Sequence, residues 1–291
     1  MLKRTTGEKI FAVFNTIFLS ALLLITLYPC MYVLFASVSD PVELYNGSKL
    51  IFAPRGFNTI NYVHVFKNSL LWTGYANTIF YTVVGTFFCV FLTTVAAYCL
   101  SRKDLPGKNI FLMGIVISMY FSGGMIPNFI IVKSLGLLDT RGAMIIPALI
   151  NTYNLIITLS YFRGIPDELE EAAKIDGANH YIVLFKIMIP LAKATIAVIT
   201  LYYAVAFWND YMSALLYLND SKLYPLQLVL REILFQGTMD SKSSMQVDQA
   251  SAVSETIKYA TMVVSTVPIL CVYPFIQKYF VKGVMIGAVK G

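Results

Sequence analysis

The sequence predicts an all-α membrane protein with six transmembrane helices. Of its 291 residues, 57% are hydrophobic and only 13% are charged, whereas soluble domains of ordinary composition carry about 25% charged residues. A soluble fold would need a larger core than this chain can enclose, because roughly 290 residues is near the upper size of one domain. We therefore expect a lipid bilayer to surround most of the chain.

Six stretches are suited to crossing a bilayer, since a membrane helix needs roughly 20 mostly apolar residues at about 1.5 Å each. They are Ile10–Ser37, Gly74–Ser101, Asn109–Val132, Gly142–Phe162, Ala194–Leu218 and Tyr259–Gln277. The first is far longer than the roughly 7–15 apolar residues of a signal peptide, so we expect it to remain as a span. The fifth contains one charge, Asp210, and the sixth contains two prolines, which a helical bundle tolerates where neighbours satisfy the freed backbone groups.

The Lys and Arg residues indicate the orientation, because cytoplasmic loops carry an excess of them. With the N-terminus inside, 13 of the 22 fall on the cytoplasmic side, and the short loop 102–108 contains three of these. Short loops carry most of this bias. We expect both termini to be cytoplasmic, and the long segments 38–73 and 219–258 to form ordered caps over the outer mouth.

Several other classes of protein are excluded. The net charge of +6 comes from scattered Lys and Arg residues rather than a dense basic run, so no nucleic-acid partner is expected. The four cysteines are widely spaced in apolar segments, which favours buried small side chains over a metal site or disulfide framework. The two histidines have no convergent catalytic partners, so we predict no catalytic residue and no metal site. The chain has no G-x-x-x-x-G-K-[ST] phosphate loop, so a different chain must handle any ATP.

The most polar stretch of the chain, residues 163–190, lies between the fourth and fifth predicted spans. Pro166 and the acidic residues after it favour a helix start, and Gly177 suits a helix C-terminus that needs a positive φ. A second short helix, from His180 to Ile187, would lead to Pro190 and the fifth span. This polar segment is therefore predicted to form a helix, a tight turn and another helix along the membrane face, although its composition alone also fits a solvated acidic loop.

The spacing within the polar segment resembles the EAA loop of binding-protein-dependent ABC transporter permeases. That pattern reads Glu-Ala-Ala, three residues, Gly, nine residues and Ile-x-Leu-Pro. Here the matching residues are Glu171-Ala172-Ala173, Gly177 and the run from Ile187 to Pro190, with Ile189 in place of Leu. Several fixed positions over about 20 residues, in a cytoplasmic loop, make this a specific resemblance.

Other segments resemble the carbohydrate permeases of the maltose-transporter type within that family. They are Asn77–Thr78, Phe207–Tyr211 and the ending 277–291, while 224–231 is similar to permeases for complex oligosaccharides. The resemblance covers the chain from about residue 75 to its end. It implies the type I ABC importer permease fold, with 1–74 as the first transmembrane helix and a long outer loop, and 75–291 as a five-helix permease core.

The family resemblance implies a multi-pass subunit of an ABC importer in the bacterial inner or cytoplasmic membrane, and not an enzyme. The implied solute is an oligosaccharide; a non-sugar solute and, from another class, an ion-coupled secondary carrier remain alternatives. The implied partners are a second, different permease chain that completes a heterodimer, two ATPase subunits and an extracytoplasmic solute-binding protein. The chain itself would bind no cofactor, because ATP and Mg²⁺ would be held by the ATPases.

The resemblance also assigns residues to ATPase coupling. In the polar segment these are Glu171, Ala172, Ala173, Asp176, Gly177 and Pro190. Glu171 would pair with a basic ATPase residue, and the two alanines would allow a close approach. The tail 282–291 would make a second contact through Lys282, Gly283, Gly287 and Lys290, although a frayed terminus is the other interpretation.

A polar substrate path is the last prediction, and its candidate residues are Asn151, Asn154, Trp208, Asn209, Asp210 and Tyr211. Asp210 follows Lys193 by about 25 Å of helix, which places it near the outer boundary of a hydrocarbon core roughly 30 Å thick. It is therefore either an interfacial, partly wet acid or a cavity residue whose neighbours stack on and hydrogen-bond a sugar. The two asparagines of the fourth span can equally line a path or bond neighbouring helices.

Overall fold

The computed structural model describes residues 5–48, 50–121, 123–239, 253 and 256–271. Within these ranges the chain is helical, with one isolated antiparallel β-bridge between Ser39 and Phe57. The helices, in chain order, are α1 (Thr6–Ser37), α2 (Pro41–Asn46), α3 (Ile60–Lys67), α4 (Ser69–Ser101), α5 (Lys108–Tyr120), α6 (Met125–Ser134), α7 (Arg141–Ala148), α8 (Thr152–Arg163), α9 (Glu168–Ile175), α10 (His180–Leu191), α11 (Lys193–Asn209), α12 (Met212–Tyr217), α13 (Leu226–Met239) and α14 (Thr256–Cys271). The all-α prediction is confirmed for the described residues.

Within the described residues, two helices are long and apolar enough to cross a membrane unbroken. α1 has 32 residues and α4 has 33, and the mean hydropathy of their most apolar windows is 2.4 and 2.1. A capping box begins α1: the Glu8 N–H donates to the Thr5 hydroxyl, and the Thr5 N–H donates to the Glu8 carboxylate. These helices contain the predicted first and second spans.

The predicted third, fourth and fifth spans are not continuous helices, contrary to expectation. α5 and α6 replace the third, α7 and α8 meet at a bend of 44°, and the fifth ends at Asn209, before α12. If each bent pair of helices counts as one span, the described part of the chain has up to five. α14 covers the first part of the predicted sixth span, and residues 272–277 lie outside the described ranges, so the count of six remains a prediction.

Each break has a local cause in the backbone. Gly124 precedes α6 with a φ of +86°, which a residue with a side chain rarely adopts. Pro147 lies in the 3-10 turn that ends α7, and the Asn151 side chain caps α8 by accepting the Asn154 N–H at 3.1 Å. Asp210 leaves the helical conformation at the end of α11, and its carboxylate accepts the Ser213 N–H at 3.0 Å. Hydropathy alone does not detect these turns.

The chain forms two compact units, Met1–Ser69 with Leu230–Pro268, and Leu70–Val229 with Ile269–Gly291. In the first unit, the buried Asn61 amide donates to the carbonyls of Ser37 and Ser39 at 3.4 Å and accepts the Thr256 hydroxyl at 2.9 Å. The described residues of the long segment after α1 are thus ordered, as expected.

The second unit contains the polar segment and the candidate path residues, and its core has two principal clusters. One joins the end of α4 to α8, α9 and α10 and includes Phe162, Ala173 and Val183. The other joins the middle of α4 to α7 and α11 and includes Cys89 and Phe207. Cys89 is fully buried, whereas the other three cysteines are exposed on this chain, so the expectation that all four are buried is wrong.

Candidate functional site

The polar segment forms the predicted helix, tight turn and second helix. Gly177 has a φ of +81°, as predicted. Its N–H donates to the Lys174 carbonyl at 3.0 Å, and the Ala178 N–H donates to the Ala173 carbonyl at 2.9 Å. These two bonds form a Schellman motif, which satisfies the last carbonyls of α9. The Asn179 side chain then caps α10 by accepting the Ile182 N–H at 2.9 Å.

α9 turns one face outward and the other into the core. Glu171 and Ala172 are exposed, as are Asp176 and Gly177 in the turn. Ala173 is only 8% exposed and packs in the cluster with Phe162 and Val183. The close approach expected of both alanines therefore fits Ala172 alone. The small side chain of Ala173 instead lets α9 lie close to its own core.

Two large apolar side chains of the polar segment are strongly exposed. Ile175 at the end of α9 is 87% exposed, and Tyr181 in the first turn of α10 is 75% exposed. Both are close in sequence to Asp176 and Gly177, which are also exposed. Exposed apolar groups rimmed by polar residues mark interaction surfaces. The sequence prediction missed both residues, although Ile175 stands out as an apolar residue in a run that is otherwise mostly polar.

Two ion pairs bind α9 to the short basic loop that follows α4. The Arg102 guanidinium pairs with the Glu170 carboxylate, and these side chains are only 16% and 9% exposed. Lys103 pairs with Asp167 at the surface, where its hydrogen bond and charge hold the Asp167 pKa below its usual range. The sequence prediction missed both pairs. The available signal was a basic loop and an acidic helix assigned to the same side of the membrane.

Pro190 lies at the joint between the polar segment and α11. The middle of α10, Val183–Met188, is π-helical, and α10 and α11 meet at a bend of 84°. A proline ring clashes with the carbonyl four residues earlier in a regular α-helix, and the wider π-helical turn relieves that crowding. The Tyr161 hydroxyl donates to the Leu191 carbonyl at 2.8 Å and holds the joint against α8. The polar segment is therefore connected to α11 through a sharp bend that a hydrogen bond from α8 stabilises.

Three of the six candidate path residues line one cavity of about 330 Å³. Its lining residues are Pro147, Ala148, Ile150, Asn151, Tyr203, Ala206, Phe207, Asn209 and Asp210. Asn154 is buried next to Asn151, whose side chain accepts its N–H. Trp208 and Tyr211 are not among the lining residues. The cavity thus combines two amides and a carboxylate with aromatic walls.

The Tyr203 hydroxyl joins three helices at the wall of this cavity. It lies 2.7 Å from the Thr93 hydroxyl of α4 and accepts the Asn151 N–H at 2.9 Å. Tyr203 itself belongs to α11, so the cavity wall is fixed to α4 and to the start of α8. Sequence reasoning did not single out Tyr203, because nothing in the local pattern separates it from other buried aromatic residues.

Asn77 and Thr78 hold the segment before α13 against α4. The Asn77 amide donates to the carbonyls of Lys222 at 2.7 Å and Tyr224 at 3.1 Å. The Thr78 hydroxyl accepts the Leu226 N–H at 2.8 Å, and both side chains are buried. This segment therefore follows the half of α4 that is remote from Arg102.

Two further predictions concern the C-terminal tail and a metal site. The tail residues Lys282, Gly283, Gly287 and Lys290 lie outside the described residues. Within the described ranges, no three His, Cys, Asp or Glu side chains gather as a metal site would require.

This chain is similar to known transport proteins over nearly its whole length. The family model described as "Binding-protein-dependent transport system inner membrane component" matches residues 90–286. The chain is 43% identical to Protein LplC of Bacillus subtilis (strain 168), with 99% of this chain and 97% of that protein covered. It is 45% identical to the polygalacturonan/rhamnogalacturonan transport system permease protein YtcP of the same organism, with 94% and 96% covered. A chain in the crystal structure of a bacterial ABC transporter involved in the import of the acidic polysaccharide alginate superposes with a TM-score of 0.87 at 34% identity, covering 96% of this chain and 100% of that chain.

Proposed function

The chain belongs to the family of binding-protein-dependent transport system inner membrane components, ABC transporter permeases rather than enzymes, and from that membership we propose that it carries an oligosaccharide through an ABC importer. Two similar proteins are named for the transport of polysaccharides, polygalacturonan/rhamnogalacturonan in one case and alginate in the other. The cavity at Asn151, Asn209 and Asp210 supports a sugar, since its amides and carboxylate can bond hydroxyl groups. A non-sugar solute is the alternative that the transport assay below tests.

The proposed topology has six spans with both termini in the cytoplasm. The support for six spans is the two long helices, the bent pairs α5–α6 and α7–α8, the apolar helix α11 and the shorter apolar helix α14. The chain would form half of the path, and a second, different permease chain would form the other half. An extracytoplasmic solute-binding protein would deliver the oligosaccharide, and two ATPase subunits would bind ATP and Mg²⁺.

The exposed face of α9 carries the proposal for coupling. Glu171 presents a carboxylate to a basic residue of the ATPase, and Ala172 leaves room for its surface. Ile175 and Tyr181 supply apolar contact area, because they are 87% and 75% exposed on this chain. This combination of an acidic group and exposed apolar groups on one ordered helix–turn–helix is the observation that supports ATPase docking most directly.

ATP-driven closure of the two ATPases would move α9 and α10 as one body. The corner at Pro190 connects them to α11, which carries Tyr203, Asn209 and the cavity wall. A displacement of the polar segment would therefore change the position of the cavity wall. Such rigid-body motion of elements with two stable arrangements is the expected form of alternating access. The tail, through Lys282, Gly283, Gly287 and Lys290, is proposed as a second ATPase contact.

The test is reconstitution of the complete importer in liposomes, with labelled oligosaccharide and ATP. Glu171→Lys and Ile175→Asp should stay in the membrane but lose ATPase binding by about tenfold or more, because each removes a contact at the centre of the interface. Asp104→Lys is the matched control, since Asp104 is exposed on the basic loop but lies off α9.

Three outcomes would contradict the proposal. Wild-type uptake by both α9 variants at equal abundance would remove the docking role. Uptake that follows an ion gradient instead of ATP would indicate a secondary carrier. ATP-dependent uptake of a non-sugar solute, with no uptake of oligosaccharide, would keep the importer and replace its substrate.

A further inference from the structure

We propose that Arg102 is a positioning residue for energy coupling, because its buried ion pair with Glu170 fixes the coupling helix α9 to the end of α4. α9 could then not be displaced by an ATPase without displacing α4. The inference rests on the proposed function, in which α9 receives the motion of the ATPase. It adds a second route for that motion, separate from the corner at Pro190.

Arg102 contacts several neighbouring residues besides Glu170. Its Nε and Nη2 atoms donate to the Ser101 hydroxyl at 3.0 and 2.9 Å, and its guanidinium carbon lies 4.8 Å from the centre of the Tyr98 ring. Its carbonyl accepts Lys108 Nζ at 3.2 Å. A planar guanidinium that contacts a ring and a hydroxyl is pre-organised, so it loses little further freedom when it pairs with a carboxylate. The charge that meets Glu170 is therefore rigidly attached to the end of α4.

Glu170 depends on this partner because its residue is only 7% exposed. A buried carboxylate without a nearby cation is strongly unfavourable. Lys174 Nζ also approaches Glu170 at 3.1 Å, but Lys174 belongs to α9 itself, so this pair does not connect α9 to another element. Arg102 is thus the partner that links this carboxylate to another helix. Glu170 lies on the buried side of α9, so the link leaves the exposed docking face free.

α10 is bound to the same end of α4. The Tyr98 hydroxyl, one turn before Arg102, lies 3.1 Å from His180 Nδ1 at the start of α10. The Tyr98 ring also contacts both the guanidinium and the imidazole. Both helices of the polar segment are therefore held on one short stretch, Tyr98 to Arg102, at the end of α4 and the start of the loop after it.

The other half of α4 connects the pair between Arg102 and Glu170 to a second segment of the chain. α4 has 33 residues, which span about 50 Å as a regular helix. Asn77 and Thr78, in its remote half, hold the segment Lys222 to Leu226 through three hydrogen bonds. A rigid helix bound at both ends carries a displacement from one end to the other. The pair would thereby connect α9 with a segment on the opposite side of the membrane.

The neighbouring pair between Lys103 and Asp167 provides a matched control. It joins the same loop to the start of the same helix, but its side chains are 78% and 51% exposed. Exposed ion pairs contribute little and restrain little. Removing it changes the charge of the loop and of α9 as much as removing the buried pair, without breaking the buried link.

The experiment compares two double variants of the complete importer in liposomes. Arg102→Met with Glu170→Met removes the buried pair without leaving a buried charge, and Lys103→Met with Asp167→Met removes the exposed pair. The first should keep its membrane level, its bound ATPases and its ATP hydrolysis, while the solute moved per ATP falls roughly tenfold, within the usual range of coupling between sites. The second should keep the wild-type ratio.

A purely structural pair would lower abundance and ATPase binding together and leave the solute moved per ATP unchanged. That result, or an equal fall in both double variants, overturns the proposal. If the buried-pair variant is absent from the membrane, Arg102→Gln with Glu170→Gln decides, because two neutral amides keep polar groups at the site but remove the ion pair. A reduced ratio then supports the proposal, and a wild-type ratio overturns it. Failure of the proposed function would be distinct, because the wild type itself would show no ATP-dependent uptake.

Discussion

The ring of Phe207 lies directly on Gly85, so that a Cβ atom at position 85 would be only 2.5 Å from the ring. Phe207 is 5% exposed and packs in the buried cluster that includes Cys89, so its ring has little room to move aside. This contact brings α11 against the backbone of α4, as small residues do between membrane helices. It lies in the same cluster as Tyr203, whose hydroxyl joins the same two helices at Thr93.

Gly85→Ala should therefore lower the free energy of unfolding by about 1–3 kcal/mol, the usual cost of inserting a group into a packed core. Gly114→Ala is the control, because nothing lies within 4 Å of its Cβ position in the middle of α5. Ala favours a helix by about 1 kcal/mol over Gly, so this control should be as stable as the wild type or more so. Thermal unfolding in detergent measures both. Equal melting temperatures for Gly85→Ala and the wild type would contradict the close packing.

Gly177→Val should uncouple ATP hydrolysis from transport through backbone strain alone. Gly177 has a φ of +81°, and no atom lies within 4 Å of its Cβ position, so the substitution causes no clash. A left-handed conformation costs an ordinary residue about 1–2 kcal/mol, and more for a β-branched one. The Schellman turn should then open and misplace α10. The measurement is substrate-stimulated ATPase activity at equal membrane level.

Gly164→Val is the control for this strain, since Gly164 has a φ of −84° and lies at the other end of the same segment. Its Cβ position makes only an ordinary contact, at 3.4 Å from the Tyr161 carbonyl. The control should stay coupled. If both valine variants lose coupling equally, bulk rather than backbone conformation is responsible.

The sequence predicted those features that depend on neighbouring residues. Hydropathy located α1 and α4, and the spacing around Gly177 predicted the helix, the turn and the positive φ. Hydropathy did not predict the breaks within spans, because an average over many residues does not detect the positive φ at Gly124 or the turn at Pro147. The pair of Arg102 with Glu170 joins residues far apart in the chain, so only the folded structure brings them together. The same holds for the cavity, which Asn151 and Asp210 both line and which Trp208 and Tyr211 do not line.

Asp139 predicts a specific pH dependence. It has a φ of +58°, and its carboxylate accepts the N–H groups of Asp220 and Asn219 at 2.9 Å, which hold its pKa below the ordinary value of 3.8. A lowered pKa in the folded state means that the stabilisation is complete above the ordinary pKa and is lost as the pH falls through the lowered value. Asp139→Asn should therefore lower the melting temperature by a constant amount from about pH 5 to pH 8, and by less below about pH 4.

Melting temperatures of the wild type and Asp139→Asn across this pH range provide the check. Asp104→Asn is the control, because that exposed carboxyl lies in the basic loop, away from Asn219 and Asp220. It should show no such trend. A difference between wild type and Asp139→Asn that changes from pH 5 to pH 8 would show that the carboxyl titrates there, against the argument.

Reporter fusions should place the two ends of α4 on opposite sides of the membrane. Arg102 and Lys103 pair with Glu170 and Asp167, so fusions after Arg102 and after Lys174 must agree, and the Lys and Arg bias predicts that both are cytoplasmic. A fusion after Lys222 should be external, because its carbonyl bonds Asn77 in the other half of α4. Opposite signals from the first two fusions would be incompatible with the ion pairs.

The cavity at Asp210 can be tested without disturbing the helix end that Asp210 caps. Asp210→Asn keeps the oxygen that accepts the Ser213 N–H and removes only the charge. A hydrogen bond to a charged group contributes about 1.5–3 kcal/mol, so the uptake of oligosaccharide should fall roughly tenfold or more if a sugar hydroxyl bonds this carboxylate during transport. ATP hydrolysis stimulated by the binding protein should persist, because the polar segment is unchanged.

Asp220→Asn is the matched control for this carboxylate. Asp220 also caps a short helical turn, by accepting the Lys222 N–H at 2.9 Å, but it is not among the residues that line the cavity. Its variant should transport at the wild-type rate. If Asp210→Asn also transports normally, the Asp210 carboxylate does not bind the sugar. It is then an interfacial acid that only accepts the Ser213 N–H. An equal fall in both variants would instead assign the effect to net charge near the outer mouth. Both substitutions remove one negative charge, but only Asp210 lines the cavity.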